Sequence, residues 1–302
     1  MEASSASRFR RTWILYAMLL PGIGFALVFN YMPMLGLVMA FQDYQPYQGF
    51  TGSAWVGWKH FEQIFTDPFA PKVIGNTVII SGLKIIFNLL VPLVFALLLN
   101  ELRHMKVKST IQTLVYLPHF LSWVILSGIL LDVLSIHGIV NEILNSLFGV
   151  SPIMFLGDGD WFRVSVVASD VWKEFGFNTI VFLAALTAVN PALYEASEID
   201  GANRWKQTLH VTIPAIMPIV VVVATLSLSS ILNGSFDQIF NLYSPIVYDK
   251  GDIIDTFVYR TALQSGQFSF ATAVGMFKSV VGLLFIAVFY RIAYVYADYR
   301  IF

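Results

Sequence analysis

Asp170, Trp172, Lys173, Glu174 and Asn178 crowd into one otherwise apolar stretch that runs from Val164 to Val189. A second polar group, Ser229, Ser230, Asn233, Ser235 and Asp237, closes the apolar run that begins at Ile213. Three lysines, Lys84, Lys173 and Lys278, also stand inside apolar runs. Such groups are costly in hydrocarbon, so they face a bundle interior or a watery cavity. Their mixture suits a polyhydroxylated ring: an indole for its apolar face, and amides, hydroxyls and carboxylates for its hydroxyl groups. Trp172, Glu174, Asn178, Asn233, Asp237 and Lys84 are therefore the candidate pathway residues. Structural roles are open for several of these, since Asp170 and Lys173 are three apart and can neutralise each other on one helix face. Lys84, with no partner in its own apolar run, either pairs with Asp170 or Glu174, the favoured reading, or faces the pathway and attracts an acidic sugar. Ser229 and Ser230 can simply permit close helix packing.

Covalent and metal chemistry find little support. Cysteine is absent, which excludes disulfides, thiolate ligands and a cysteine nucleophile. The five histidines are scattered rather than set at ligand spacing, and no His-Glu-x-x-His helix occurs. His137, near the end of an apolar run, has no evident catalytic partner. The formal net charge of -1 gives no basic excess for nucleic acid.

The elements that hold these residues are long apolar segments. Of the 302 residues, 57% are hydrophobic and 12% are charged, and the mean hydropathy is +0.71. Soluble domains carry about 25% charged residues, so no soluble surface can be built from this chain. Six stretches, at about 13–41, 74–99, 111–133, 164–189, 213–232 and 273–296, are each long enough to cross about 30 Å of hydrocarbon as a helix. The expected fold is an all-α integral membrane protein of six transmembrane helices. The first stretch, preceded by Arg8, Arg10 and Arg11, is too long for a signal peptide and has no small-residue cleavage site after it, so it reads as an uncleaved helix, with kinks expected at Pro21 and Pro33.

Lysine and arginine are unevenly shared between the two sides. One side holds Arg8, Arg10, Arg11, Arg103, Lys106, Lys108, Arg204, Lys206, Arg291 and Arg300; the other holds Lys59, Lys72, Arg163, Lys250 and Arg260. Cytoplasmic segments carry the excess, which places both termini and the connection around Arg204 in the cytoplasm. The connections on the opposite side are long and rich in apolar and aromatic residues, which predicts packed external or re-entrant elements.

The cytoplasmic connection from Asn190 to Pro214 is too structured to be a plain loop. Asn190 can cap a short helix whose first turn holds Pro191, Gly201 permits a sharp turn, and a second helix runs towards Pro214. The spacing Glu195-Ala196-Ser197, three residues, Gly201, nine residues, Val211-Thr-Ile-Pro214 resembles the signature loop of binding-protein-dependent ATP-binding-cassette importer permeases. There the pattern is Glu-Ala-Ala, three residues, Gly, nine residues, Ile-x-Leu-Pro, so Ser197, Val211 and Ile213 are mild departures. Asp200-Gly201-Ala202 with Trp205, and the segments around Phe236 to Arg260 and Phe270 to Ser279, are similar to the maltose-type carbohydrate branch, in particular to permeases for complex oligosaccharides.

The resemblance runs from about Trp13 to the end and implies a single transmembrane permease domain over 1–302. It implies that the loop is a coupling helix between helices four and five, with Glu195, Ala196, Ser197, Asp200, Gly201 and Pro214 docking a cytoplasmic ATPase dimer. It further implies a second, non-identical permease, an extracytoplasmic solute-binding protein and a bacterial cytoplasmic membrane as surroundings. ATP and Mg are expected on the partner ATPase and no cofactor in this chain, which has no Gly-x-x-x-x-Gly-Lys-Ser/Thr sequence. A permease for a non-sugar solute, or an intramembrane enzyme, are the other readings.

Overall fold

The computed structural model describes residues 5–228, 231–232 and 234–297. Helix α1 (Ser5–Ala26) continues through a π-turn at Leu27–Tyr31 into a tight 3₁₀ segment, Met32–Phe41. The change of pitch falls at Pro33, whose missing N–H cannot bond the preceding turn. A two-stranded antiparallel hairpin follows, β1 (Gln42–Asp43) on β2 (Ala54–Trp55), and then α2 (Lys59–Thr66). Helix α3 (Ala70–Asn100) is unbroken despite Pro92.

The third apolar stretch is not one straight span. It forms α4 (Met105–Tyr116), a 3₁₀ turn at Leu117–Phe120, and α5 (Trp123–Val133), with a bend of 101° between the two arms. Leu121 turns extended, and the Ser122 hydroxyl accepts from Ile125 N–H at 3.4 Å, which starts a new helix. A short helix, α6 (Ile139–Phe148), leads to α7 (Gly159–Thr187), where Asp158 caps the start by accepting from Asp160 and Trp161 N–H. Next come α8 (Pro191–Ile199), bent 68° from α7, a one-turn helix at Arg204–Gln207, and a π-turn at Thr208–Thr212 that opens α9 (Ile213–Leu228). The chain then forms α10 (Phe236–Leu242), α11 (Ile254–Tyr259) and α12 (Phe268–Ala297).

Four of these helical segments are long and apolar enough to cross a membrane, and six if each bent pair counts as one span. Their most apolar windows are largely exposed within the chain, as little as 6% buried for Trp13–Phe41. A helix apolar all round and uncovered by its own chain has lipid or another subunit as its solvent.

Contacts tell the two ends of the bundle apart. Lys72, in the first turn of α3, pairs with Asp249 at 2.5 Å, Arg163 of α7 donates to Lys250 O at 2.8 Å, and Tyr44 N–H donates to Ser269 Oγ at 2.9 Å. The connections holding Tyr44, Asp158 and Asp249 thus gather at one end as ordered, packed segments. At the other end Glu101, just past α3, pairs with Arg204 at 2.6 Å. Buried apolar clusters run between the ends: Val73, Phe257 and Phe270 in one, Ile80, Phe162 and Ile239 in the next, and Ala96, Phe182 and Ile216 in the third.

Candidate functional site

Two regions carry the polar chemistry, one at mid-depth between α3, α7 and α10, the other at the end of the bundle that holds α8. At mid-depth, Lys84 of α3 stands 3.1 Å from Asp170 of α7, with both side chains less than a tenth exposed. Lys84 Nζ also donates to Gln238 Oε1 of α10. Gln238 in turn donates to Val166 O at 2.7 Å and Ser169 Oγ at 2.9 Å, and Asn88 donates to Asp170 Oδ2 at 2.8 Å. A charge inside an apolar bundle persists only where it is paired and its remaining valences are filled. The network meets that demand and fastens α10 to both long helices.

One turn further along α7, Lys173 does not pair with Asp170. Its Nζ donates to Glu174 Oε1 and to His119 O, both at 2.8 Å. His119 Nδ1 lies 2.7 Å from Glu174 Oε2, and its ring stacks on Phe177 with centroids 4.0 Å apart. The break in the third apolar stretch therefore delivers a backbone carbonyl and an imidazole to the face of α7. Gly176 makes this approach feasible: a Cβ there would stand 2.1 Å from Val115 O of α4.

The candidate pathway residues do not form one cluster. Trp172 is 48% exposed and lines an apolar cavity of about 630 Å³ with Phe87, Val91, Val164 and Phe175. Glu174 lies two residues on, about 200° round the helix at 3.6 residues per turn, and faces His119 instead. Asn178 is half-buried on the Glu174 face. Asp237 is exposed at the start of α10, while its neighbour Gln238 is fully buried. Asn233, like Ser229 and Ser230, lies outside the described residues. Gln238, Asn88 and His119 were not singled out by sequence, although an amide or imidazole within an apolar segment is the same signal that marked Asn178. Lys278 pairs with Asp255 of α11 at 2.5 Å. Among the described residues no group of three His, Asp or Glu is placed to hold a metal ion.

At the other end, Asn190 Oδ1 accepts from Ala192 N–H at 3.0 Å and Pro191 occupies the first turn of α8. Gly201 ends the helix with φ +75°, a left-handed conformation that a Cβ disfavours. Asn203 then caps the next turn by accepting from Lys206 N–H at 2.9 Å. Tyr194 ties α8 to the start of α9, its hydroxyl 3.0 Å from Thr212 Oγ1. Pro214 removes an N–H just beyond the π-turn, which accounts for the widened backbone there. Glu195, Ala196, Asp200, Gly201 and Pro214 are exposed and Ser197 is half-buried. Two large apolar groups beside them are nearly bare, Ile199 at 88% and Trp205 at 74%. Glu195, Glu198 and Asp200 stand exposed around them.

At the end opposite α8, burial and the adjoining Tyr248 push the Tyr243 phenol up to about 12. Asp252 holds the Arg260 guanidinium above its usual value against the opposing effect of burial, through a contact of 2.6 Å.

A family model described as "Binding-protein-dependent transport system inner membrane component" matches residues 88–301. The chain is 43% identical to the polygalacturonan/rhamnogalacturonan transport system permease protein YteP of Bacillus subtilis (strain 168), over 92% of this chain and 87% of that one. It is 42% identical to Protein LplB of the same organism over the same shares. Among solved structures, a chain of a bacterial ABC transporter involved in the import of the acidic polysaccharide alginate superposes with a TM-score of 0.88, at 40% identity, over 96% of this chain and 98% of that one. A second structure of a bacterial alginate ABC transporter, in complex with an alginate pentasaccharide-bound periplasmic protein, gives the same TM-score at 38% identity, over 96% of this chain and 97% of that one.

Proposed function

The chain belongs to the family of binding-protein-dependent transport system inner membrane components, and from that premise we propose that it is the permease subunit of an importer for oligosaccharides. The observation that carries the reading is the α8 surface. Nearly bare Ile199 and Trp205 beside Glu195 and Gly201, at the end of the bundle where Lys and Arg are in excess, have no purpose in lipid and suit a cytoplasmic partner. That partner is an ATPase dimer, with ATP and Mg bound there. Movement of α8 reaches the spans through the 3.0 Å contact of Tyr194 with Thr212, and the permease alternates between outward and inward openings.

Both termini are cytoplasmic in this reading, with six spans in the bacterial cytoplasmic membrane. A second, non-identical permease covers part of the exposed helical surface, and a solute-binding protein delivers sugar at the opposite end, as the periplasmic protein of the alginate transporter complex suggests. Trp172, Asn178, Asn233 and Asp237 are offered to the sugar, whereas Lys84 and Glu174 act through their partners by fixing the shape of the pathway. The test is ATP hydrolysis by the assembled complex in nanodiscs, with binding protein loaded in turn with candidate oligosaccharides. Stimulation by at least one loaded saccharide is expected; equal hydrolysis with loaded and empty binding protein for every saccharide overturns the reading.

A further inference from the structure

Five half-buried aromatic rings touch in series along the segment that holds α10 and α11. Phe236 and Phe240, one turn apart on α10, stack with centroids 5.1 Å apart and planes at 18°. Tyr259 of α11 closes on them at 5.4 and 4.9 Å. Phe240 leads to Tyr243 at 6.2 Å, and Tyr243 to Tyr248 at 5.0 Å. There the Arg260 guanidinium lies 4.2 Å above the Tyr248 ring, and the two line a cavity of about 450 Å³ together with Lys72, Thr261 and Gln267.

These rings are not the anchoring side of α10. That role falls to Gln238, Ile239 and Leu242, all buried. Beside the rings, Asp237 is exposed, and Asn241 uses its Nδ2 on Asp237 O at 2.6 Å, which leaves its amide oxygen available. One surface thus offers flat apolar rings next to a carboxylate and an amide. In the cavity the carboxylates are already engaged: Asp249 with Lys72, Asp252 with Arg260, and Asp67 with the N–H groups of Phe69 and Ala70. The rings and the Asn241 amide therefore select by ring face and hydroxyl pattern.

We propose that Phe236, Phe240, Tyr259, Tyr243 and Tyr248, flanked by Asp237 and Asn241, form an entry track for a pyranose chain, leading to the cavity under Arg260. The track rests on the oligosaccharide reading above. Pyranose rings lay their C–H faces on the aromatic rings while their hydroxyls bond Asp237 and Asn241. Successive sugar units occupy successive rings, so the track matters more for long chains than for short ones.

The experiment is uptake by the complete complex in proteoliposomes, with a pentasaccharide and a disaccharide of galacturonate, and the same two lengths of a neutral galactan, as probes. The Phe240→Leu/Tyr259→Leu double variant keeps apolar bulk and removes two flat faces. Two lost aromatic contacts should raise KM for both pentasaccharides about tenfold, with the disaccharides changed less than twofold and basal ATP hydrolysis as in the wild type. Should the double variant fail to assemble, Phe236→Leu with Tyr243→Leu is read in the same way. Unchanged pentasaccharide KM, or an equal change at both lengths, overturns the track alone. A wild type that moves none of the four probes overturns the track for these sugars, while the oligosaccharide reading stands or falls on the hydrolysis test above.

Discussion

Lys84 Nζ and Asp170 Oδ1 meet at 3.1 Å between α3 and α7, far along the chain from each other and both sealed from solvent. The pair is the only one of the eight described ion pairs in which both side chains are less than a tenth exposed. Desolvating two charges is expensive, and the offset here includes Gln238 and Asn88 as well as the Coulombic attraction. Removing one partner should therefore cost more than removing both. We expect Lys84→Gln or Asp170→Asn to lower stability by about 3–5 kcal/mol, and Lys84→Met with Asp170→Leu to recover most of it. Thermal unfolding of the purified complex measures this. Single variants as stable as the wild type would contradict the account, and any residual uptake by Lys84→Gln should fall equally for neutral and uronate oligosaccharides.

Gly201 takes φ +75° between α8 and the Arg204 turn, with open space where a side chain would stand. Gly201→Ala should therefore be mild, about 1–2 kcal/mol of local strain. Gly201→Asp adds a charge to the proposed ATPase dock and should uncouple the complex: normal insertion and assembly, retained basal ATP hydrolysis, and uptake reduced at least tenfold. Wild-type uptake in an assembled Gly201→Asp complex would refute the docking assignment.

The segments long enough to span were legible because a membrane helix needs little beyond about twenty apolar residues, and Trp13–Phe41 and Ala70–Asn100 fall where the sequence puts them. The cap at Asn190, the Gly201 turn and the position of α8 were legible because capping and left-handed glycine are local chemistry. Tertiary pairing was legible only in part: Lys84 has no partner on its own helix, which pointed it to Asp170 or Glu174, and it meets Asp170. Asp170 and Lys173 are three apart on one helix and suggest a local pair, yet Asp170 reaches Lys84 and Lys173 reaches Glu174. The 101° break after Phe120 was hidden because Pro118 and Ser122 sit in a continuous apolar run, where neither residue alone demands a corner. Gln238 carries no charge and lies beside Asp237, so the residue that fastens α10 was overshadowed by its exposed neighbour.

The absence of cysteine makes the sidedness of the chain directly measurable. Asp200→Cys, in the exposed turn after α8, should react with a membrane-impermeant maleimide only after cells are opened. Tyr47→Cys, at an 82% exposed position in the hairpin turn, should react in spheroplasts without permeabilisation. The reverse pattern would invert the orientation drawn from the Lys and Arg asymmetry and remove the cytoplasmic dock with it.

Gly176 and Val115 set how closely the broken third stretch lies on α7. A Cβ on residue 176 would come within 2.1 Å of Val115 O and 2.6 Å of the carbonyl carbon. Both are backbone atoms, which cannot swing aside as a side chain would. Gly176→Ala must therefore push α4 away from α7, at a cost of about 1–3 kcal/mol typical of overpacking. The displacement also withdraws His119, whose carbonyl takes a bond from Lys173 and whose ring is held between Glu174 and Phe177. Lys173 would then keep Glu174 as its anionic partner but lose a carbonyl, and a buried ammonium in an apolar bundle tolerates such a loss poorly. The expected result is a complex that assembles with a lowered unfolding temperature and slower uptake, more affected than Gly275→Ala, where a Cβ meets nothing within 4 Å. Equal behaviour of the two alanine variants would show that α4 does not rest on α7 through this glycine.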